Sequence, residues 1–114
     1  MVASSWCHGL CFLEVHGTCM HPDIQNDDFI LTDATKTPLE GDCIVYRHID
    51  GGLRVGRLVA SDGFYATVEN NVGGRVSMII DMIQGVVVEV VRCQDADDLR
   101  TNGWRMVELV GDCQ

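Results

Sequence analysis

The chain has 114 residues, 46 % of them apolar, and a formal net charge of −9. That length builds one core and not two, and that apolar content excludes disorder as the default state. Eight Lys and Arg stand against 17 Asp and Glu, which excludes a phosphate-binding face, since such a face needs clustered cations. The domain by itself is therefore not expected to contact nucleic acid.

In chain order, "LCFLEV" (10–15) suits a short strand entering a turn at Gly17. "HPDIQNDD" (21–28) reads as a polar loop or a single helical turn, and "FILTDA" (29–34) as the next strand. Pro38 and Gly41 punctuate "TKTPLEGD" (35–42), with Asp42 expected to bracket the turn before its strand. "CIVYRHI" (43–49) and "LRVGRLVA" (53–60) are two strands of a hairpin closed by "DGG" (50–52). "FYATVEN" (64–70), "VSMII" (76–80) and "GVVVEVVRC" (85–93) complete the β-rich part. No segment before residue 94 carries a 3.6-residue apolar stripe over three turns. In the tail, "DADDLRTNGW" (95–104) suits a short helix and "RMVELV" (105–110) a further strand able to cover a sheet edge, its own or a partner's. The fold class is mostly β: a small domain of about seven to nine largely antiparallel strands. It divides into an arm at 1–9, a β domain at 10–93 and a C-terminal extension at 94–114 that packs on the domain or on a dimer partner.

No run approaches the roughly 18–20 apolar residues of a membrane helix. The N-terminus lacks both a basic region and a sustained apolar one, so it makes a poor signal peptide. A cytoplasmic protein without membrane contact is expected. Six cysteines (Cys7, Cys11, Cys19, Cys43, Cys93 and Cys113) are read as reduced thiols, because disulfide-dense scaffolds are smaller and loop-rich. Cys7, His8, Cys11 and His16 amount to half a zinc site with no second ligand pair to complete it. No metal and no cofactor are expected.

Three stretches at matching spacing carry a resemblance. "VHGTCMHPDIQNDDFILTD" (15–33) resembles the V-x-G-x-S-M-x-P-x-(I/L)-x-x-G-D signature of the LexA/UmuD and phage-repressor autoproteases, which share their fold with signal peptidases. "LEGDCIVYR" (39–47) resembles the G-D-I-V-V strand that follows it. "LRVGRLV" (53–59) resembles the strand that carries the family's lysine, and "VENN" (68–71) and "IQGVVVEVVR" (83–92) resemble the closing strands. The resemblance implies a LexA-like, signal-peptidase-like β domain.

It also implies a site. In the family a serine on the turn attacks a peptide carbonyl, and a lysine kept neutral by burial takes its proton. Here the serine position is Cys19 and the lysine position is Gly56. A thiol can replace a hydroxyl as nucleophile, but glycine accepts no proton, and Lys36 is the one lysine in the chain. The turn that would shape the site is Gly17, Thr18, Met20 and Pro22, and the family's Gly-Asp pair becomes Asp27-Asp28. His16, His21 and His48 are poorly placed in the sequence to serve as base for Cys19. Only about 18 residues precede Cys19, with no Ala-Gly or Cys-Gly bond to cut.

The expected function is therefore that of a catalytically inactive LexA-like domain, not an enzyme. It serves as an oligomerisation and protein-interaction module in transcriptional repression, the SOS response or phage lysogeny, in a bacterium or a phage host. Its expected partners are copies of itself, as dimer or higher oligomer, and an antirepressor, RecA-like or polymerase protein. Two alternatives compete with it: a Cys19-dependent protease or autoprotease, and a UmuD-like accessory subunit of a DNA polymerase. Trp6 and Trp104 lie outside the matched stretches and serve either as interface anchors or as terminal packing.

Overall fold

The structure is a computed structural model that describes residues 9–17, 20 and 22–92, together with the backbone of 106–110. Eight strands form one sheet: β1 (Leu10–Val15), β2 (Phe29–Asp33), β3 (Cys43–Arg47), β4 (Leu53–Ser61), β5 (Tyr65–Glu69), β6 (Arg75–Ile79), β7 (Ile83–Val91) and β8 (Met106–Val110). Their order is β3-β7-β2-β1-β8-β4-β5-β6. An additional β3–β4 pairing closes the first six into a ring and leaves β5 and β6 extending from β4. All pairings are antiparallel except those of β8, which runs parallel to β1 and touches β4 at Leu53. The fold is thus the mostly β domain that the alternation of the sequence implies.

The strands stop where turn chemistry takes over. The β3–β4 connection is longer than three residues: His48 N–H donates to the Gly52 carbonyl at 2.7 Å and Gly51 N–H to the His48 carbonyl at 2.8 Å. Gly51 takes a φ of 89°, which a side chain would resist. Ile49, expected at the end of a strand, is therefore out in the loop and 94 % exposed. The bracket expected of Asp42 is present, its carboxylate accepting from Leu39 N–H at 2.9 Å. The 95–104 helix lies outside the described residues, as do the arm at 1–8, Cys93 and Trp104.

Alternation on β3 and β4 feeds two apolar clusters, one on each face. Val45, Leu53 and Val55 join Cys11, Leu13, Val15, Ile30, Met20 and Ile24 in the first cluster, on the inside of the ring. Ile44, Tyr46 and Leu58 face the other way and join Ala66, Val68 and Val86 under the β5–β6 hairpin. Both faces of β3 are covered, which fits its largely apolar sequence. Two polar side chains are buried among the described residues, Asp28 and Thr32. The Thr32 hydroxyl donates to the Cys11 carbonyl at 3.0 Å, so its burial costs little. Cys11 and Cys43, the described cysteines, are free thiols.

Candidate functional site

The turn that leaves β1 carries the serine-position residue. Thr18, Cys19 and His21 lie outside the described residues, but the residues on either side are described. Gly17 has a φ of 117°, and its N–H donates to the Asn26 side chain at 2.8 Å. Met20 is 1 % exposed and packs in the first cluster. Its carbonyl accepts Ile24 N–H at 2.9 Å, closing a single helical turn, while Pro22 stays exposed. Met20 thus anchors the turn to the core from one side of Cys19, and Gly17 holds it to the loop from the other.

The loop returns to β2 through Asp27 and Asp28. Asp27 N–H donates to the Val15 carbonyl and Val15 N–H to the Asp28 carbonyl, each at 2.8 Å. To do this Asp27 takes a φ of 71°, the one non-glycine residue with positive φ among those described. Aspartate tolerates this left-handed region better than most residues, but glycine does so without strain. That is the physical sense of a glycine at the corresponding family position. The Asp28 carboxylate is buried and accepts from Gln25 N–H at 2.7 Å and from Arg92 Nη1 at 2.6 Å. It pins the loop to the end of β7 across 64 residues of sequence.

Gly56 lies on β4 opposite Ile44 and faces the second cluster. A Cβ built there would sit 2.4 Å from Val68 Cγ1, 3.1 Å from the Glu69 carbonyl oxygen and 3.5 Å from Tyr46 Cε1. The room for a side chain at position 56 is thus occupied by Val68, itself 1 % exposed. The next residue, Arg57, points to the opposite face of the strand and reaches the turn. Its Nη2 donates to Asp23 at 2.7 Å and its Nη1 to Asn71 at 3.0 Å. Asn71 in turn donates to Asp23 at 3.0 Å and to the Met20 carbonyl at 3.1 Å. The Asn71 hydrogen bond and then the Arg57 charge hold the Asp23 carboxyl below the usual carboxylate range.

This Arg57–Asp23–Asn71 network beside the turn is what reading the sequence missed. Its members are 34 and 48 residues apart, and only the adjacency of Arg57 to position 56 hints at it. Cys43 lies near Arg57, yet burial is the larger influence and pushes its thiol pKa up. Lys36 is exposed in the turn after β2. His48 pairs with Asp50 in the β3–β4 loop, at 3.3 Å.

One group of side chains has ligand spacing. The ligating atoms of Glu14, His16 and Asp27 lie within 4.8 Å of one another. His16 Nε2 is 3.6 Å from Glu14 and its Nδ1 3.7 Å from Asp27. The ring therefore stands between two carboxylates.

Geometrically, β4 offers the turn a fixed cation and no proton acceptor. Guanidinium stays protonated in proteins, so Arg57 can orient or stabilise negative charge but cannot serve as a base. Against known proteins, the family described as Peptidase S24-like matches residues 1–88 of this chain. No curated protein matches the chain.

Proposed function

The chain belongs to the Peptidase S24-like family, and from that premise we propose that it is a catalytically inactive member acting as a homo-oligomerisation and protein-interaction module in transcriptional repression, in the SOS response or phage lysogeny. One observation carries the reading: the strand that faces the turn supplies no group able to take a proton. Position 56 has no side chain and faces the second cluster, so the β4 side chain directed at the turn is the guanidinium of Arg57. Arg57, beside it, is engaged by Asp23 and Asn71. A nucleophile without a base stays in its resting protonation state, and a free thiol of pKa about 8.5 is mostly neutral at pH 7. Without self-cleavage as a switch, control passes to association with copies of itself and with other proteins. Antirepressor, RecA-like and polymerase proteins are the partner classes to test.

Two measurements test the reading. Light scattering over a wide concentration range, with reductant present, is expected to show a dimer or larger closed assembly. Incubation of the purified chain, alone and with extended peptides, is expected to leave all of them intact. A strict monomer at high concentration overturns the oligomer reading. Peptide cleavage that disappears in Cys19→Ala replaces it with a cysteine-protease reading.

A further inference from the structure

In the sequence His16 stands with Cys7, His8 and Cys11 as half a zinc site. The fold gives it different company. Strand alternation turns Cys11, Leu13 and Val15 into the first cluster, where Cys11 is buried, and leaves Glu14 on the opposite face. His16, two residues on, lies beside Glu14. Asp27 arrives from the far end of the same connection, because its N–H donates to the Val15 carbonyl at 2.8 Å. An imidazole and two carboxylates from both ends of one connection thus converge.

The imidazole is short of a partner. Its ring is partly exposed, yet Nε2 itself is closed to solvent and has no hydrogen-bond partner among the described residues. A nitrogen in that state is costly unless something binds it. Nε2 faces Glu14 Oε1 at 3.6 Å, which is too long for a hydrogen bond. Two ligands of one tetrahedral zinc lie roughly 3.3–3.5 Å apart, given metal–ligand bonds of about 2.0–2.2 Å. The gap is therefore close to the one that a shared ion spans. Asp27 lies 3.7 Å from Nδ1 on a half-exposed side chain that is free to swing. Ligand atoms of all three residues already lie within 4.8 Å of one another.

Charge and ligand chemistry then narrow the ion. Two carboxylates beside a neutral imidazole attract a divalent cation, and the chain's net charge of −9 draws cations towards it. Magnesium and calcium take oxygen ligands, whereas an imidazole nitrogen suits zinc, nickel and copper. Three protein ligands leave a fourth position of a tetrahedral ion to water.

From this donor set we propose that Glu14, His16 and Asp27 form a site for a divalent transition-metal ion, zinc being the type. The ion would tie the end of β1 to the entry of β2, closing the connection that carries Cys19. The proposal is independent of the oligomerisation reading.

Titration calorimetry with zinc chloride, on the full chain in a phosphine reductant, tests it. Glu14→Gln, His16→Gln and Asp27→Asn each remove a ligand while roughly keeping its shape, and each is expected to weaken zinc binding at least tenfold. Cys7→Ser is expected to stay within about threefold of wild type, which separates this site from the thiols. Zinc is expected to raise the melting temperature of wild type and of Cys7→Ser, but not of the three ligand variants. Circular dichroism checks that each variant is folded. About a hundredfold excess of magnesium chloride is expected not to displace the zinc. No zinc binding, or equal affinity in wild type and the ligand variants, overturns the site. A tenfold loss in Cys7→Ser assigns the ion to the thiols and overturns it as well. Displacement by magnesium overturns the choice of metal.

Discussion

Replacing Gly56 by alanine is a small change with a large expected consequence. Apolar carbons rest about 3.5–4.0 Å apart, and the new methyl would start 2.4 Å from Val68 Cγ1. It cannot escape along the strand, because the Glu69 carbonyl oxygen is 3.1 Å away on the same side. Val68 cannot rotate freely either, being β-branched and 1 % exposed. Overpacking of this kind costs about 1–3 kcal/mol. The backbone at position 56 is ordinary extended strand, so alanine regains about 0.4–1 kcal/mol by restricting the unfolded chain. The net expectation is a loss of about 1–2 kcal/mol. Val68→Ala alone leaves a void in the second cluster and costs about 1–3 kcal/mol, judged from methyl deletions in other cores. Combined, the two changes relieve each other: the methyl introduced at position 56 enters the space that the valine vacates. The double variant is expected to be more stable than the sum of the singles by about 1 kcal/mol or more. Urea unfolding reads this, since a 1 kcal/mol change moves the midpoint by roughly 0.3–1 M. Strict additivity, or a neutral Gly56→Ala, would refute the claim that Val68 occupies the place of a side chain at position 56. The same geometry predicts that Gly56→Lys is more destabilising than Gly56→Ala, and that Val68→Ala partly rescues it.

Further outcomes follow from the turn, its anchors and the other shifted groups. Arg92→Ala leaves the buried Asp28 carboxylate without its cation; a loss of about 2–3 kcal/mol in urea unfolding is expected, below the full cost of a broken buried pair because Arg92 is partly exposed. Asp27→Gly relieves a left-handed aspartate and is expected to raise stability by roughly 0.5–1 kcal/mol, so an unchanged or lowered unfolding midpoint contradicts it. The carboxyls of Asp23, Asp33, Asp50 and Asp62 all titrate below the usual range in the folded chain. Their contribution to stability is therefore present above the ordinary carboxylate pKa and is lost as pH falls below it. In an NMR titration, Asn71→Ala is expected to move Asp23 upward, because the Asn71 hydrogen bond is the largest cause of its depression. Cys43 is expected to react with thiol reagents more slowly than a free cysteine at neutral pH and to accelerate as pH rises, since burial pushes its thiol up; a fast reaction at pH 7 contradicts that environment.

Local patterns in the chain place the strands. Period-two alternation and glycine turns are local signals, so β1, β2, β4 and β6 fall within a residue or two of their expected bounds. β3 ends earlier than expected, because the hydrogen bonds of the His48–Gly52 loop claim its last two residues. The turn motif around Cys19 and the absence of lysine at position 56 were equally legible, since each is read from one short segment. Side-chain direction and neighbours, by contrast, come from the folded arrangement. Residues 56 and 57 are neighbours in the chain, yet one faces Val68 and the other the turn, because pleating sends successive side chains to opposite faces. Which face holds which cluster depends on the β3–β4 register and on the hairpin folding over β3. Arg57, Asp23 and Asn71 meet because three segments distant in the sequence converge beside Met20, whose carbonyl accepts from Asn71. Contacts of that kind are set by long-range strand pairing, and no local pattern encodes them.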